Sequence, residues 1–365
     1  MTNNQRAFNF NAGPAALPLE VLEKAKQEMT NFQDSGMSVM ELSHRSPTYE
    51  AVHNGAIEKL RTLLEIPEDY EVLFLQGGAS TQFTMIPMNF LQGSGKKAAY
   101  LMTGSWSEKA IAETKLFGEA YEATSSKSSQ YRSIPDFSSN HLNGTEAYVH
   151  LTSNNTIYGT QWHEFPETGK VPLIADMSSD IMSRPIDVSK FDMIYAGAQK
   201  NLGPSGVTIV IIKKDLLKQA HSNVPTMLRY QTHVDKNSLY NTPPTFGIYM
   251  LGEVLNWIQD QGGLNSITEK NIRKANLIYK TIDESDGFYT GHAQQSSRSY
   301  MNITFNLPNE ALEKQFLNEA KKAGFTGLNG HRSVGGCRAS TYNAVPEATC
   351  VALSEFMQQF QHRNS

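Results

Sequence analysis

Two spacings of apolar residues take turns along this chain. Short continuous runs, EVLFL (71–75), KKAAYLM (96–102), EAYVHLT (146–152), PLIAD (172–176), FDMIYA (191–196) and VTIVII (207–212), have strand length and too few polar positions for a half-exposed strand. Between and around them lie segments with a helical period: LEVLEKAKQEM from Leu19, Tyr49 to Leu64, the stretch after Gly77–Gly78, the stretch beginning near Trp106, and FGIYMLGEVLNWIQD (246–260). Buried strands alternating with helices predict an open, mostly parallel sheet covered on both faces, the α/β class.

Gly262–Gly263 stops the long helix, and the pattern then changes. A helix to about Ser285, a strand in RSYMNITFN (298–306), a helix in NEALEKQFLNEAKKAG (309–324), the segment GHRSVGGCRAS (330–340) and a closing helix from Pro346 read as a small α+β unit. The expected division is a large domain over 16–262 and a small one from 263–365 joined by residues 1–15. A length of 365 residues favours two domains, since single cores stop growing at roughly 250–300 residues.

Composition narrows the function classes. Hydrophobic residues make up 39% and charged residues 19%, as in an ordinary globular enzyme. A formal net charge of −4 without any basic block argues against nucleic acid and anionic membrane as partners. The longest strongly apolar run is VTIVII, far too short to span a bilayer. Cys337 and Cys350 have neither metal-ligand nor redox spacing, so no metal is expected and a reducing, cytoplasmic compartment is.

The candidate chemistry centres on IYAGAQKNLGPSG (194–206). Lys200 follows an apolar strand and precedes a Gly-Pro turn, among small uncharged neighbours. Partial burial there lowers an amine's pKa and suits it to imine formation. Taken alone, such a lysine could simply end a strand. Asp176 changes the reading, because it closes the run PLIAD with a single further strand between it and Lys200. Residues just past the carboxyl ends of parallel strands converge on one crevice. A lysine for an aldehyde and an aspartate for a ring nitrogen are what pyridoxal phosphate asks of a protein. Gly77, Gly78, Ala79 and Ser80 at a helix start offer backbone N–H groups to a phosphate, or make a plain tight turn.

The stretches FNFNAGPAALP, ELSHRSP, AGAQKNLGPSG and GHRSVGGCRASTYNA, in that order, resemble the phosphoserine aminotransferases, class V members of the fold-type I pyridoxal-phosphate enzymes. That resemblance covers nearly the whole chain. It implies a seven-stranded sheet in the large domain, pyridoxal 5'-phosphate as cofactor, and amino transfer from L-glutamate to 3-phosphohydroxypyruvate giving O-phosphoserine in serine biosynthesis. A related phosphohydroxythreonine reaction in pyridoxine biosynthesis is implied as well.

It also implies roles residue by residue. Lys200 is the catalytic lysine; Ala79, Ser80, Trp106, Thr156, Asp176 and Gln199 contact the cofactor, the Trp106 ring by stacking. Asn241 and Thr242 match positions that reach the cofactor phosphate of a second subunit, which implies a homodimer with shared active sites. His44 and Arg45 match contacts to the substrate's acidic groups. His331 and Arg332 match a phosphate-reading pair that in relatives reaches across the dimer interface, and Arg338 the fork for the α-carboxylate. Where Ser80 stands, some relatives carry an arginine for substrate phosphate, so other cations must do more here. Two rivals remain at this point. A cysteine desulfurase of the same class needs a mobile thiolate, which Cys337 cannot supply from a strand position facing away from Arg338. A nucleotide-binding module lacks GxGxxG and leaves Lys200 and Asp176 without a task.

Overall fold

The computed structural model describes residues 6–332 and 334–365; residues 1–5 of the N-terminal segment lie outside the described residues. Seven strands form the large sheet: β1 (Tyr70–Leu75), β2 (Lys97–Met102), β3 (Glu119–Ser125), β4 (Tyr148–Thr152), β5 (Leu173–Asp176), β6 (Met193–Gly197) and β7 (Thr208–Lys213). Their spatial order is β1-β7-β6-β5-β4-β2-β3. All neighbours from β6 to β3 are parallel, while β7 runs antiparallel to both β6 and β1.

Alternation along the strands feeds two cores, one on each face. Val72, Phe74, Ile194, Ala196, Ile209 and Ile211 face one, packed by α1 (Leu19–Glu28), α2 (Pro47–Leu64) and α5 (Thr245–Asp260). Leu73, Leu75, Met193, Tyr195, Val210 and Ile212 face the other, with α3 (Gly78–Phe90) and α4 (Ser105–Thr114). Because both faces are covered, the central strands carry no polar alternation. Truncating a residue such as Ile209 or Ile211 to alanine would cost about 2–5 kcal/mol.

A third core joins a three-stranded antiparallel sheet to the C-terminal helices. β8 (Asn302–Asn306) is its middle strand, flanked by Thr290–Gly291 and by β9 (Cys337–Ser340). α6 (Gly263–Asp283), α7 (Glu310–Lys322) and α8 (Glu347–Asn364) enclose it. Phe8–Asn9 pairs with Phe325–Thr326, so the N-terminal segment is stitched to this unit. α6 serves two cores: Leu264 and Ile267 sit in the first, Ala275, Ile278 and Ile282 in the third. Among the described residues no helix is long and apolar enough to cross a membrane.

What positions the site is strand register. Thr152 lies opposite Asp176, and Asp176 opposite Tyr195, which sets one row of residues at the carboxyl edge of the sheet. β6 leaves the sheet at that edge and the chain turns straight back into β7, with Gly197 paired to Thr208. Lys200 therefore sits in the hairpin between two antiparallel neighbours.

Candidate active site

Five strand ends converge on a cavity of about 450 Å³. β1 leads into Gly77 and the start of α3, β2 into Trp106 on α4, β4 and β5 end at Thr152 and Asp176, and β6 leads to Gln199 and Lys200. The small unit closes the cavity with Arg338 on β9 and with His331, and the N-terminal segment adds Ala12 and Gly13. Gly13 has a φ of +143°, and a Cβ there would lie 3.3 Å from Lys200 Cγ. A side chain at residue 13 would press on the lysine stem, so glycine lets the N-terminal segment form one wall around it.

Asp176 is buried and its two oxygens differ. Oδ1 accepts from the Ser178 N–H at 2.9 Å and from the Ser178 hydroxyl at 2.6 Å, while that hydroxyl accepts from Gly197 N–H at 3.1 Å. This Asx-type turn fixes the carboxyl group and leaves Oδ2 without a hydrogen bond from the described residues. Burial pushes the Asp176 carboxyl up, opposed by Ser178 and Lys200. For Lys200 burial pushes the amine down, Asp176 pulls it back up, and Arg338 adds a further push down. The amine is thus poised closer to its neutral, nucleophilic form than a surface lysine. Its Nζ lies 5.6 Å from the Trp106 ring centroid, and Trp106 Nε1 donates to Thr156 Oγ1 at 3.0 Å, which locks the indole plane.

Arg338 is anchored by Nη1, which donates to the Thr156 carbonyl at 2.9 Å. Its Nε is buried and has no partner among the described residues, and burial lowers its pKa. Opposite, α3 begins without a side-chain cap, so the first N–H groups of a 13-residue helix point at the cavity. A Cβ on Gly78 would meet nothing within 4 Å, which leaves that cup open. An uncapped helix start for a phosphate, a carboxylate oxygen for a ring N–H, an indole wall and a half-buried amine together fit pyridoxal phosphate.

Comparison with known proteins decides the family. The Aminotransferase class-V model matches residues 7–352. The chain belongs to the class-V aminotransferases. A protein of Lysinibacillus sphaericus named phosphoserine aminotransferase is 65% identical over 360 residues, 99% of each chain. A structure titled as a study of radiation damage of the Schiff base in phosphoserine aminotransferase is 63% identical, with a TM-score of 0.96 over 98% of this chain and 100% of that one. Phosphoserine aminotransferase from Trichomonas vaginalis, solved with pyridoxal phosphate bound, is 40% identical with a TM-score of 0.91 over 97% of this chain and 100% of that one.

Set on this class-V scaffold, Ala79, Ser80, Trp106, Thr156, Asp176, Gln199, Lys200, His331 and Arg338 share one cavity. His44, Arg45, Asn241, Thr242 and Arg332 do not line it. Arg45 and Arg332 are exposed, and the Thr242 carbonyl accepts from Gln76 Nε2 at 3.4 Å, beside the cup at Gly77. His331 lines the cavity of its own chain, whereas the resemblance had it reach across an interface. Burial lowers its pKa, reinforced by Arg338, Lys109 and Arg332.

Several residues of this class-V site escaped the reading of the sequence. Ser178 was legible as an Asp-x-Ser turn, and Thr152 and Asn154 as the exit of another strand. Lys109 stands one helical turn beyond Trp106 with its Nζ 4.5 Å from the ring centroid, an i,i+3 neighbour that places a cation at the rim. Gly13 had no local signal. The desulfurase reading fails on the structure, because Cys337 is buried in the third core and burial pushes its thiol far up, while Cys350 is pushed up to about 12.

Proposed function

We propose that this protein transfers the amino group of L-glutamate to 3-phosphohydroxypyruvate, the phosphoserine aminotransferase reaction, with pyridoxal phosphate as its cofactor. The observation that carries the proposal is the juxtaposition of a half-buried amine, Lys200, with a buried carboxylate, Asp176, and an anchored arginine, Arg338, around one cavity. When bound, the cofactor supplies an aldehyde that joins amines and a ring that takes up an electron pair.

The rest belongs to the chain. Lys200 Nζ takes the proton from the α-carbon of the amino donor and, in the second half-reaction, delivers one to the α-carbon of the amino product; its lowered pKa keeps more of the amine neutral and able to act as the base. Asp176 would hold a positively charged ring N–H, with Ser178 fixing its Oδ1. Arg338 receives the α-carboxylate, which orients the α-proton toward Lys200. Trp106 provides a flat wall that excludes water from one face. Ser80 offers only a hydroxyl where some relatives place an arginine, so Lys109 and Arg332 form the cationic rim that reads the substrate phosphate, with His331 beside them as a neutral hydrogen-bonding ring.

The working unit is a homodimer in the cytoplasm. His44, Arg45, Asn241 and Thr242 lie off their own cavity, and the segments that carry them also carry exposed Met37, Met40 and Tyr240, residue types suited to contact with another copy. The chain divides at Gly262–Gly263 into a large domain, 16–262, and a small one, 263–365 with 1–15.

A substrate panel tests the function. Pairing glutamate with 3-phosphohydroxypyruvate should give a kcat/KM at least about 100-fold above pyruvate or hydroxypyruvate. Substituting Arg332 or Lys109 by methionine should cut the phosphorylated substrate about tenfold and leave glutamate within about twofold. Equal turnover of phosphorylated and plain oxo acids would overturn the assignment. Sedimentation of the purified protein checks the dimer, and a monomer at working concentration would refute it.

A further inference from the structure

Lys274 is a lysine that the proposed reaction does not use, and it is 1% exposed, in the interior of α6. Its Nζ donates to four main-chain carbonyls of one turn: Thr341 at 3.0 Å, Tyr342 at 2.7 Å, Asn343 at 3.4 Å and Val345 at 3.1 Å. No carboxylate is hydrogen-bonded to it; the charged or titratable groups that act on it are Cys350 and Glu347 of α8 and Lys270 of α6. A buried ammonium spent entirely on backbone oxygens fixes the path of that backbone, because four carbonyls of one turn converge on a single donor group; the Tyr342 carbonyl also accepts from the Val345 N–H at 2.9 Å, which closes the turn.

The path it fixes touches the active site from three sides. The turn continues β9, so it sets where the strand bearing Arg338 ends. Tyr342 donates its hydroxyl to the Ala12 carbonyl at 2.8 Å, next to Gly13, which abuts the Lys200 stem. Asn343 donates its N–H to Asn201 Oδ1 at 3.1 Å and its side-chain amide to the Met182 carbonyl at 2.8 Å. Asn201 follows Lys200 directly, and its own amide donates to the Ile181 carbonyl at 3.1 Å. Asn271, one turn before Lys274 on α6, donates to Asn343 Oδ1 at 2.8 Å.

We propose that Lys274 is a positioning residue that sets the separation between Arg338 and Lys200, through the turn at 341–345 and its contacts to Asn201 and Ala12. A substrate gripped by its α-carboxylate presents its α-proton to Lys200 only if those two side chains keep their spacing, and they come from different sheets. The turn clamped by Lys274 touches both, and so does the N-terminal segment it holds through Ala12: the Phe10 carbonyl accepts from the Ser340 N–H at 3.3 Å and the Ala15 N–H donates to the Gln199 carbonyl at 2.9 Å. This inference rests on the aminotransferase reading above, and it adds a residue outside the cavity to the machinery.

The test uses the holoenzyme and the variants Lys274→Met and Asn343→Ala. The readouts are the dissociation constant of maleate, a dicarboxylate that cannot react, the rate of the glutamate half-reaction, and the affinity for pyridoxal phosphate. Lys274→Met should weaken maleate and slow the half-reaction by about tenfold or more each, with cofactor affinity within about threefold. Asn343→Ala keeps the ammonium and the N–H bond to Asn201 but removes the side-chain bonds to the Met182 carbonyl and to Asn271 that hold the turn against the large sheet's side, so it should show the same split; it carries the test if Lys274→Met does not fold. The double variant should be no worse than the poorer single, since both act along one path. Maleate affinity and half-reaction rate within about twofold of wild type would overturn the proposal, as would a parallel loss of cofactor affinity or full additivity of the two changes. Absence of the glutamate half-reaction in the unmodified protein would instead refute the aminotransferase reading.

Discussion

Replacing Arg338 by methionine removes the fork proposed to receive the α-carboxylate while keeping most of the side-chain volume. Nη1 is committed to the Thr156 carbonyl, so the guanidinium offers the ligand its remaining hydrogens from a fixed position. Charge-assisted hydrogen bonds are worth about 1.5–3 kcal/mol each, and losing one to two of them in a half-buried site amounts to about 3 kcal/mol. At about 1.4 kcal/mol per factor of ten, kcat/KM for glutamate should fall roughly 100-fold. Arg338→Lys keeps a charge without the planar fork and should recover only part of that loss, about tenfold below wild type. The assay is the single-turnover half-reaction over a range of glutamate concentrations, with cofactor affinity and melting temperature measured alongside. Both substrates carry an α-carboxylate, so both half-reactions should suffer alike. A folded Arg338→Met variant within about threefold of wild type for glutamate would refute the role of Arg338.

Three further outcomes follow from the site and its surroundings. Asp176→Asn keeps the size of the group but cannot pair with a ring cation, so the half-reaction should slow by about 100-fold or more; a rate within about threefold would contradict the pairing. Ser178→Ala deletes the hydroxyl bond to Asp176 Oδ1 and the acceptor for Gly197 N–H, and should cost about tenfold in the same assay, with no change counting against the turn as a brace. Burial lowers the His53 pKa to about 4 and that of His150 to about 3. The unfolded chain therefore binds more protons than the native one below the ordinary value near 6.5, and stability should fall as pH drops from there toward 4, by about 2–3 kcal/mol per histidine. Urea titrations between pH 7 and 4.5 would show it, and His53→Leu should flatten the slope; an unchanged slope would assign acid sensitivity elsewhere.

The readable part of this fold was its interior. Runs such as VTIVII and FDMIYA announced their strands because both faces are covered and no polar positions interrupt them. β3, EAYEATS, was missed from pattern for the complementary reason: unlike β1, which closes the other edge and is buried, this edge strand is half-exposed along its length and reads as polar text. The reversed direction of β7 has a cause that spacing contains. Gly197 and Thr208 are paired, and the chain between them is shorter than the dozen or so residues a parallel crossover needs. Lys200 and Asp176 could be nominated because strand ends in such sheets share one edge. Gly13 could not, since its demand for glycine comes from the stem of Lys200, remote in sequence and close only after folding. His44, Arg45, Asn241 and Thr242 were nominated by resemblance alone, and a single chain does not bring them to its cavity.

The most direct measurement is where the cofactor is attached. Borohydride reduction of the purified holoprotein, followed by proteolysis and peptide mass mapping, should place one pyridoxyl-phosphate adduct on the peptide containing Lys200, and Lys200→Ala should show none while remaining folded. An adduct on Lys109, Lys274 or any other lysine of the native protein, or no adduct at all, would contradict the assignment of Lys200 and with it the chemistry built around Asp176 and Arg338.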